Sequence, residues 1–327
     1  MIFSYRTEKK GSDPLSLLPF CSFLFLFLPL FSSFFLTFSL SFLQGNALMT
    51  QDTLLFLGSG DAFCHGARAN QAILIENKQR SFLLDCGPTT QYRLLQSQKD
   101  LNLIDTLFIT HFHGDHIAGI PFLLLAWLYE TQRSQDLHLV GPEGLQSVVQ
   151  QLVSYTYPGI LEKSTYKIHF HELPRNQSAR LDSTHWSLQT LPMSHVPESL
   201  GLKITGTFGT LAITGDTRWN NNIPKLAEDT DILMIECSTL PKRSPEIHLS
   251  YEEILEHRSE IQTRQMILHH MDEEMIQYTQ SNSLCDNTLA AYDGFCLTLP
   301  IKSTKSTKSI KSTKSIKSMK QKKIFPS

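Results

Sequence analysis

The chain has 327 residues, 29 basic against 31 acidic side chains, and six cysteines with no Cys-x-x-Cys pair. One large domain or two modest ones fit that length, and the cysteines read as reduced, buried residues rather than a disulfide framework. The near-neutral total conceals a split: nine lysines and no acid follow Leu299, three basic and two acidic residues precede Met49, and the middle keeps 17 basic and 29 acidic residues, a formal −12. Such a surface is poorly suited to long polyanions, which are normally held by Lys/Arg contacts to phosphates.

Residues 16–43 carry no charge, are mostly Phe, Leu and Ser, and follow Arg6, Lys9 and Lys10. The run is long enough for a membrane span, but too long, and without a small-x-small cleavage site, for a signal peptide. Phe, Leu, Ser and Pro share pyrimidine-rich codons, so the composition fits better an upstream tract translated from a start placed too early, with Met49 the true start. Three segments are therefore expected: an apolar leader at 1–48, one folded domain at 49–300, and a Lys/Ser/Thr-rich tail at 301–327. The tail repeats Lys-Ser-Thr and Lys-Ser-Ile triplets without an apolar face and is expected to be disordered. The preferred expectation is a solvated basic tail, or again a repetitive tract read as protein; the sharper reading is a polyanion or membrane-surface tether. A cytoplasmic location is expected, with membrane anchoring only if residues 16–43 are genuine.

Between the ends, short apolar and β-branched runs predict strands at Thr53–Leu57, Ala72–Glu76, Phe82–Asp85, Thr106–Thr110, Leu188–Leu191, Leu200–Thr205, Thr210–Thr214, Asp231–Ile235 and Gln265–Leu268. Helices are predicted at about Thr90–Lys99, His116–Tyr129, Gly144–Tyr155, Tyr251–Ile261 and Met271–Gln280. The apolar helix with Phe122, Leu123, Leu124, Leu125, Trp127 and Leu128 is core by default and an interface otherwise. Strands and helices mixed in one compact region argue for a layered α/β domain. Several strands end in a ligand-type residue, and strand-end side chains can converge on one edge of a sheet.

The chemistry concentrates in Thr110-His111-Phe112-His113-Gly114-Asp115-His116. Three imidazoles and a carboxylate within six residues supply nitrogen and hard-oxygen donors for a divalent metal. In a tight turn His111 and His113 can face one ion while Asp115 and His116 face its neighbour, with Gly114 expected to permit the reversal. Further donors follow in order: His195 in Pro192-Met193-Ser194-His195-Val196-Pro197, Asp216 in Thr214-Gly215-Asp216-Thr217, and His270 in Leu268-His269-His270-Met271.

These motifs resemble the metallo-β-lactamase superfamily, as do Phe56-Leu57-Gly58-Ser59-Gly60-Asp61 and Leu83-Leu84-Asp85-Cys86-Gly87. Within it the chain is most similar to the ribonuclease Z-like and small phosphodiesterase branch, and Ala290-Ala291-Tyr292-Asp293-Gly294 resembles the closing motif of the latter. The resemblance, from about Thr53 to Leu299, implies a four-layer αββα sandwich and two divalent ions, zinc before manganese. It implies His111, His113 and His195 on one ion, Asp115, His116 and His270 on the other, and Asp216 bridging. Asp85 would orient a ligand imidazole from behind. His270 is chosen over its neighbour His269, which departs from the family pattern. A bridging hydroxide, formed because bound water has a pKa near about 7, would attack a phosphoryl group, with Asp115 orienting it. His248 matches a family histidine that protonates the leaving alkoxide.

Asp216 stands where class B lactamases commonly carry Cys, which argues against antibiotic hydrolysis. Ser194-His195-Val196-Pro197 does not resemble the His-bearing loop of glyoxalase II. Only 21 positions separate His195 from Asp216, too few for the tRNA-gripping arm that tRNA-processing ribonuclease Z enzymes carry there. A small phosphodiester, nucleotide-derived, is therefore the preferred substrate. A ribonuclease Z-type tRNA 3′-endonuclease comes second and a non-catalytic metal-binding protein third. Related enzymes often pair up, which makes a homodimer one open assembly; the sequence does not reveal the oligomeric state.

Overall fold

The computed structural model describes residues 51–77, 79–181 and 186–300. The apolar segment 16–43, the alternative start at Met49 and the lysine-rich tail lie outside the described residues. The strands are β1 (Asp52–Gly58), β2 (Ala72–Glu76), β3 (Ser81–Leu84), β4 (Ile104–Phe108), β5 (Leu137–Pro142), β6 (Ile168–Leu173), β7 (Ala179–Leu181), β8 (Ser187–Pro192), β9 (Leu200–Gly206), β10 (Gly209–Ile213), β11 (Thr230–Glu236), β12 (Thr263–His269), β13 (Thr288–Ala290) and β14 (Cys296–Leu299). The helices are α1 (Thr90–Gln96), α2 (Gly114–Ile117), α3 (Ile120–Tyr129), α4 (Leu145–Thr156), α5 (Asn222–Ala227), α6 (Tyr251–Glu256) and α7 (Glu273–Ser281).

Among the described residues the strands form two mixed sheets, ordered β14-β1-β2-β3-β4-β5-β6 and β13-β12-β11-β10-β9-β8-β7. Alternation along the strands explains the layering. Leu54 and Phe56 of β1 and Ile73 and Ile75 of β2 point into a core shared with Leu200, Leu202, Ile204, Met234 and Ile267 of the second sheet. Their neighbours Leu55, Leu57 and Leu74 point the other way, onto Leu94 of α1, Leu123 and Trp127 of α3 and Val149 of α4. Ala212, Leu233, Ile235 and Leu268 face outward from the second sheet onto Ile223 of α5, Ile254 of α6 and Met275 of α7. Strands buried on both faces need a helix layer on each outer side, and the result is the expected αββα sandwich. Leu123, Leu124 and Trp127 are core, whereas Phe122 at the same helix is partly exposed. No helix among the described residues is long and apolar enough to cross a membrane.

Several expected boundaries move. The helix expected over His116–Tyr129 is two helices, broken at Ala118-Gly119, where Gly119 donates its N–H to Cys86 O at 2.8 Å. The close approach demands glycine: a Cβ there would lie 2.1 Å from Gly87 O. The helix expected over Tyr251–Ile261 ends at Glu256; its start is a capping box in which Ser250 and Glu253 satisfy each other's backbone N–H. The strands β5, β6, β7, β13 and β14 were not anticipated. In β6 the half-buried His169 and His171 alternate with Ile168 and Phe170, which pack on the helix-side core, so the run lacks the apolar density that marked the others.

Parallel pairing of β3 with β4, and of β10 with β11 and β12, sends their C-terminal ends to one side of each sheet. β8 is antiparallel to β9, which is antiparallel to β10, so β8 ends on that side too. The sheets meet at this rim, where Leu200 N donates to Thr110 O at 3.0 Å and His270 N donates to Ser59 O at 2.9 Å.

Candidate metal centre

The donors sit just past strand ends or in the turn and short helix that follow β4. After β3, Asp85 takes a left-handed conformation, φ 58°, and after β12 His270 does the same at φ 60°. Both are unusual for non-glycine residues, the kind of local strain that persists where surroundings enforce it. Ile109 continues from β4 in the buried core, and the chain then turns through His111 and His113 into α2, which carries Asp115 and His116. β8 delivers His195 through Met193-Ser194, and β10 delivers Asp216 through a turn with Gly215 at φ 63°.

These residues converge on two overlapping sets. His111, His113, His195 and Asp216 offer donor atoms all within 4.8 Å of one another, and so do Asp115, His116, Asp216 and His270. Asp216 belongs to both, with Oδ2 3.4 Å from His116 Nε2, 3.3 Å from His270 Nε2 and 3.8 Å from His111 Nε2. Asp115 Oδ2 lies 3.2 Å from His116 Nε2 and 3.3 Å from His270 Nε2. His113 Nδ1 and His195 Nε2 approach to 3.1 Å with their rings nearly perpendicular. Behind them, His116 Nδ1 is held 2.8 Å from Asp85 Oδ2, while Asp85 accepts from Thr110 N at 2.8 Å and from Thr110 Oγ1 at 3.0 Å. A proton on His116 Nδ1 leaves the lone pair on Nε2, aimed at the other donors.

The donor set fits divalent cations. His111 Nε2, His116 Nε2 and Asp216 Oδ1 are buried without a hydrogen-bond partner, an arrangement that costs about 1–3 kcal/mol per group unless something else satisfies it. Electrostatics agree. Burial alone would raise the Asp216 carboxyl, but His270 and His116 outweigh it and hold it well below the usual carboxylate range. Burial would likewise raise Asp115, yet the His116 and His270 imidazoles that face it pull it down. Burial works to lower His116 and His270, and Asp216 foremost drives both upward. Two ionised carboxylates thus draw positive charge onto their imidazoles, the charge that one or two divalent ions supply. Burial keeps His111 and His195 low, and so neutral and able to donate lone pairs.

His248 lies beside this cluster, its ring 4.8 Å from His195 and 5.6 Å from His270. Its Nδ1 hydrogen-bonds Glu236 Oε1 and stands 4.0 Å from Asp216 Oδ2. Burial opposes protonation, but the Glu236 carboxylate and its hydrogen bond prevail and push His248 up to about 9. Glu236 is itself raised, by complete burial and by Asp216, so the pair holds its proton strongly. Glu236, which also accepts from Thr217 N, was not among the expected site residues; its signal in the sequence is an acid closing the apolar run Asp231–Ile235.

His270 rather than His269 joins the donors; His269 is fully buried, near Phe56, and burial lowers it to about 3. Gly114 was expected to permit the turn, but it opens α2 and a Cβ there would meet nothing within 4 Å. The close approach is instead at Gly87, where a Cβ would lie 2.2 Å from Asp115 O. Asp293 of the closing motif accepts from Ser59 N and Oγ, both at 3.0 Å, and from Ala69 N at 2.8 Å, tying the last loop to the first. A cavity of about 340 Å³ opens over Asp115, Asp216, His113, His248 and His270.

Comparisons place this geometry among known proteins. The family profile described as "Anti-Pycsar protein Apyc1" matches residues 52–288. A ribonuclease Z of Methanococcus maripaludis is 31% identical over 143 residues, 43% of this chain and 44% of that protein. The chain spans about half the length of the curated relatives it matches. The crystal structure of the short form of human tRNase Z superposes with a TM-score of 0.63 at 22% identity, covering 76% of this chain and 100% of that one. A diphosphatase of the PhnP family gives 0.62 at 17% identity, over 77% and 99%. Fold and matched span together give the chain the metallo-β-lactamase fold and make it a member of the anti-Pycsar protein Apyc1 family.

Proposed function

We propose that the chain hydrolyses phosphodiester bonds at a dinuclear metal site, with residues 49–300 as its catalytic domain. The observation that carries this is the pair of donor sets sharing Asp216. His111, His113 and His195 would hold one ion and Asp115, His116 and His270 the other, with Asp216 between them. Two such ions, zinc or manganese, supply Lewis acidity that activates water and polarises a phosphoryl oxygen. The protein does the rest. Asp85 fixes the His116 ring, Asp115 orients the attacking water, and His248, charged by Glu236, protonates the leaving oxygen.

On the substrate, the curated relatives named ribonuclease Z and the human tRNase Z fold support cleavage at a tRNA 3′ end, above the small diester preferred from sequence. One structural observation favours the small diester. β9 and β10 are joined by a tight turn at Thr207–Phe208 and occupy most of the span between His195 and Asp216, so no RNA-gripping arm leaves the fold there.

The test compares the metal-loaded full-length protein with Asp216→Ala on bis(p-nitrophenyl) phosphate, a tRNA precursor with a 3′ trailer, and a cyclic mononucleotide. Metal-dependent turnover lost in the variant supports the hydrolytic reading, and the better of the two natural substrates assigns the class. A folded protein that binds two metals and cleaves none of them overturns it.

A further inference from the structure

One wall of the cavity belongs to neither donor set. The turn after β1 presents Phe63 to solvent, 81% exposed, on the same cavity as Asp115, Asp216 and His248. A solitary exposed aromatic needs no explanation, but this one is braced. Asp61, itself buried, accepts from Phe63 N at 3.2 Å and His65 N at 3.1 Å, and pairs with His65 Nδ1 at 2.5 Å. Glu273 accepts from Gly66 N at 3.0 Å, fastening the turn to α7. Cys64 and Ala67 are held in left-handed conformations, φ 56° and 55°, a strained backbone of the kind that collects at ligand clamps. The turn is built to hold an apolar ring in water at the mouth of the centre.

The charges say what that ring is for. Among the described residues Arg243 is the one Lys or Arg lining the cavity, and its guanidinium already pairs with Asp272 at 2.7 Å and Glu274 at 3.3 Å. Ion pairing to phosphates is therefore a weak source of affinity for any part of a substrate beyond the metal site. Pro245 and Ile247, the latter 54% exposed, add apolar surface from the loop after β11. A flat aromatic group attached to a phosphate matches an apolar ring at the rim and metal donors at the floor.

We infer that Phe63 and its braced turn form a nucleobase-stacking subsite beside the metal centre. The inference deepens the phosphodiesterase reading: the phosphoryl group goes to the metals and an adjoining base onto Phe63. It applies equally to a mononucleotide and to the terminal base of an RNA.

The test is binding rather than turnover, so that it stands apart from hydrolysis. Thymidine 5′-monophosphate and inorganic phosphate are titrated calorimetrically into the metal-loaded full-length protein, Phe63→Ala and Phe63→Tyr. Phe63 is exposed, so neither substitution threatens folding. The expected result is nucleotide binding weakened about tenfold in Phe63→Ala, within the range of base–aromatic stacking, retained in Phe63→Tyr, with phosphate unaffected. Nucleotide binding no tighter than phosphate in the wild type, or unchanged in Phe63→Ala, overturns the subsite. Failure of the metal-loaded protein to cleave any diester removes the hydrolytic reading and leaves this result standing.

Discussion

Asp85→Asn isolates one link of the centre. The side chain is fully buried, and its two oxygens have different tasks. Oδ1 accepts from Thr110 N at 2.8 Å, a bond the Asn carbonyl can keep. Oδ2 lies 2.8 Å from His116 Nδ1, and there an amide NH₂ would now face the ring. Two donors cannot share that bond, so the imidazole shifts its proton to Nε2 and loses the lone pair aimed at the donors. Loss of an orienting partner of this kind costs 10–100-fold in metal affinity, about 1.4–2.7 kcal/mol. The loss should fall on the ion served by Asp115, His116 and His270, while the ion of His111, His113 and His195 binds as before. Competition titrations with a chromophoric chelator would resolve the two sites, and thermal melts in excess chelator would show the ion-free fold little changed. Unchanged affinity at both sites would refute the assignment of His116 and of Asp85 together.

Two further outcomes follow from the same structure. With His248 raised to about 9 by Glu236, the rate should persist through neutral pH and fall as pH climbs past that value, because the acid then loses its proton. Glu236→Gln removes the opposing charge and should move this alkaline limb downward by about 1–3 pH units; an unmoved limb in the pH dependence of kcat/KM would dismiss His248 as the acid. Trp127→Ala empties a fully buried position whose Nε1 donates to Leu101 O at 3.0 Å and whose ring lies under Arg133. A loss of about 3–5 kcal/mol in denaturant unfolding is expected, and a loss under 1 kcal/mol would mean the helix layer repacks around the gap.

Local chemistry made much of this protein legible in its sequence. Nine strands stood out because alternating or continuous apolar runs ended at turn residues, and β2 matches its expected span residue for residue. The donors His111, His113, Asp115 and His116 were visible because they crowd into one turn. His195, Asp216 and His270 could be singled out only as strand-end residues in a known order of motifs. Nothing local tells that Asp216 stands between two histidine sets, because its neighbours come from the turn after β4, from α2 and from the ends of β8 and β12, elements of two different sheets that meet only at their shared rim. Glu236 was missed for the same reason: an acid at a strand end is ordinary until His248 arrives from a separate loop. The break between α2 and α3 is likewise tertiary, set by Gly119 meeting Gly87 across the fold. Residue type and period determine which segments are strands, helices and donors; which donors share an ion depends on distances that exist only once the two sheets meet at one rim.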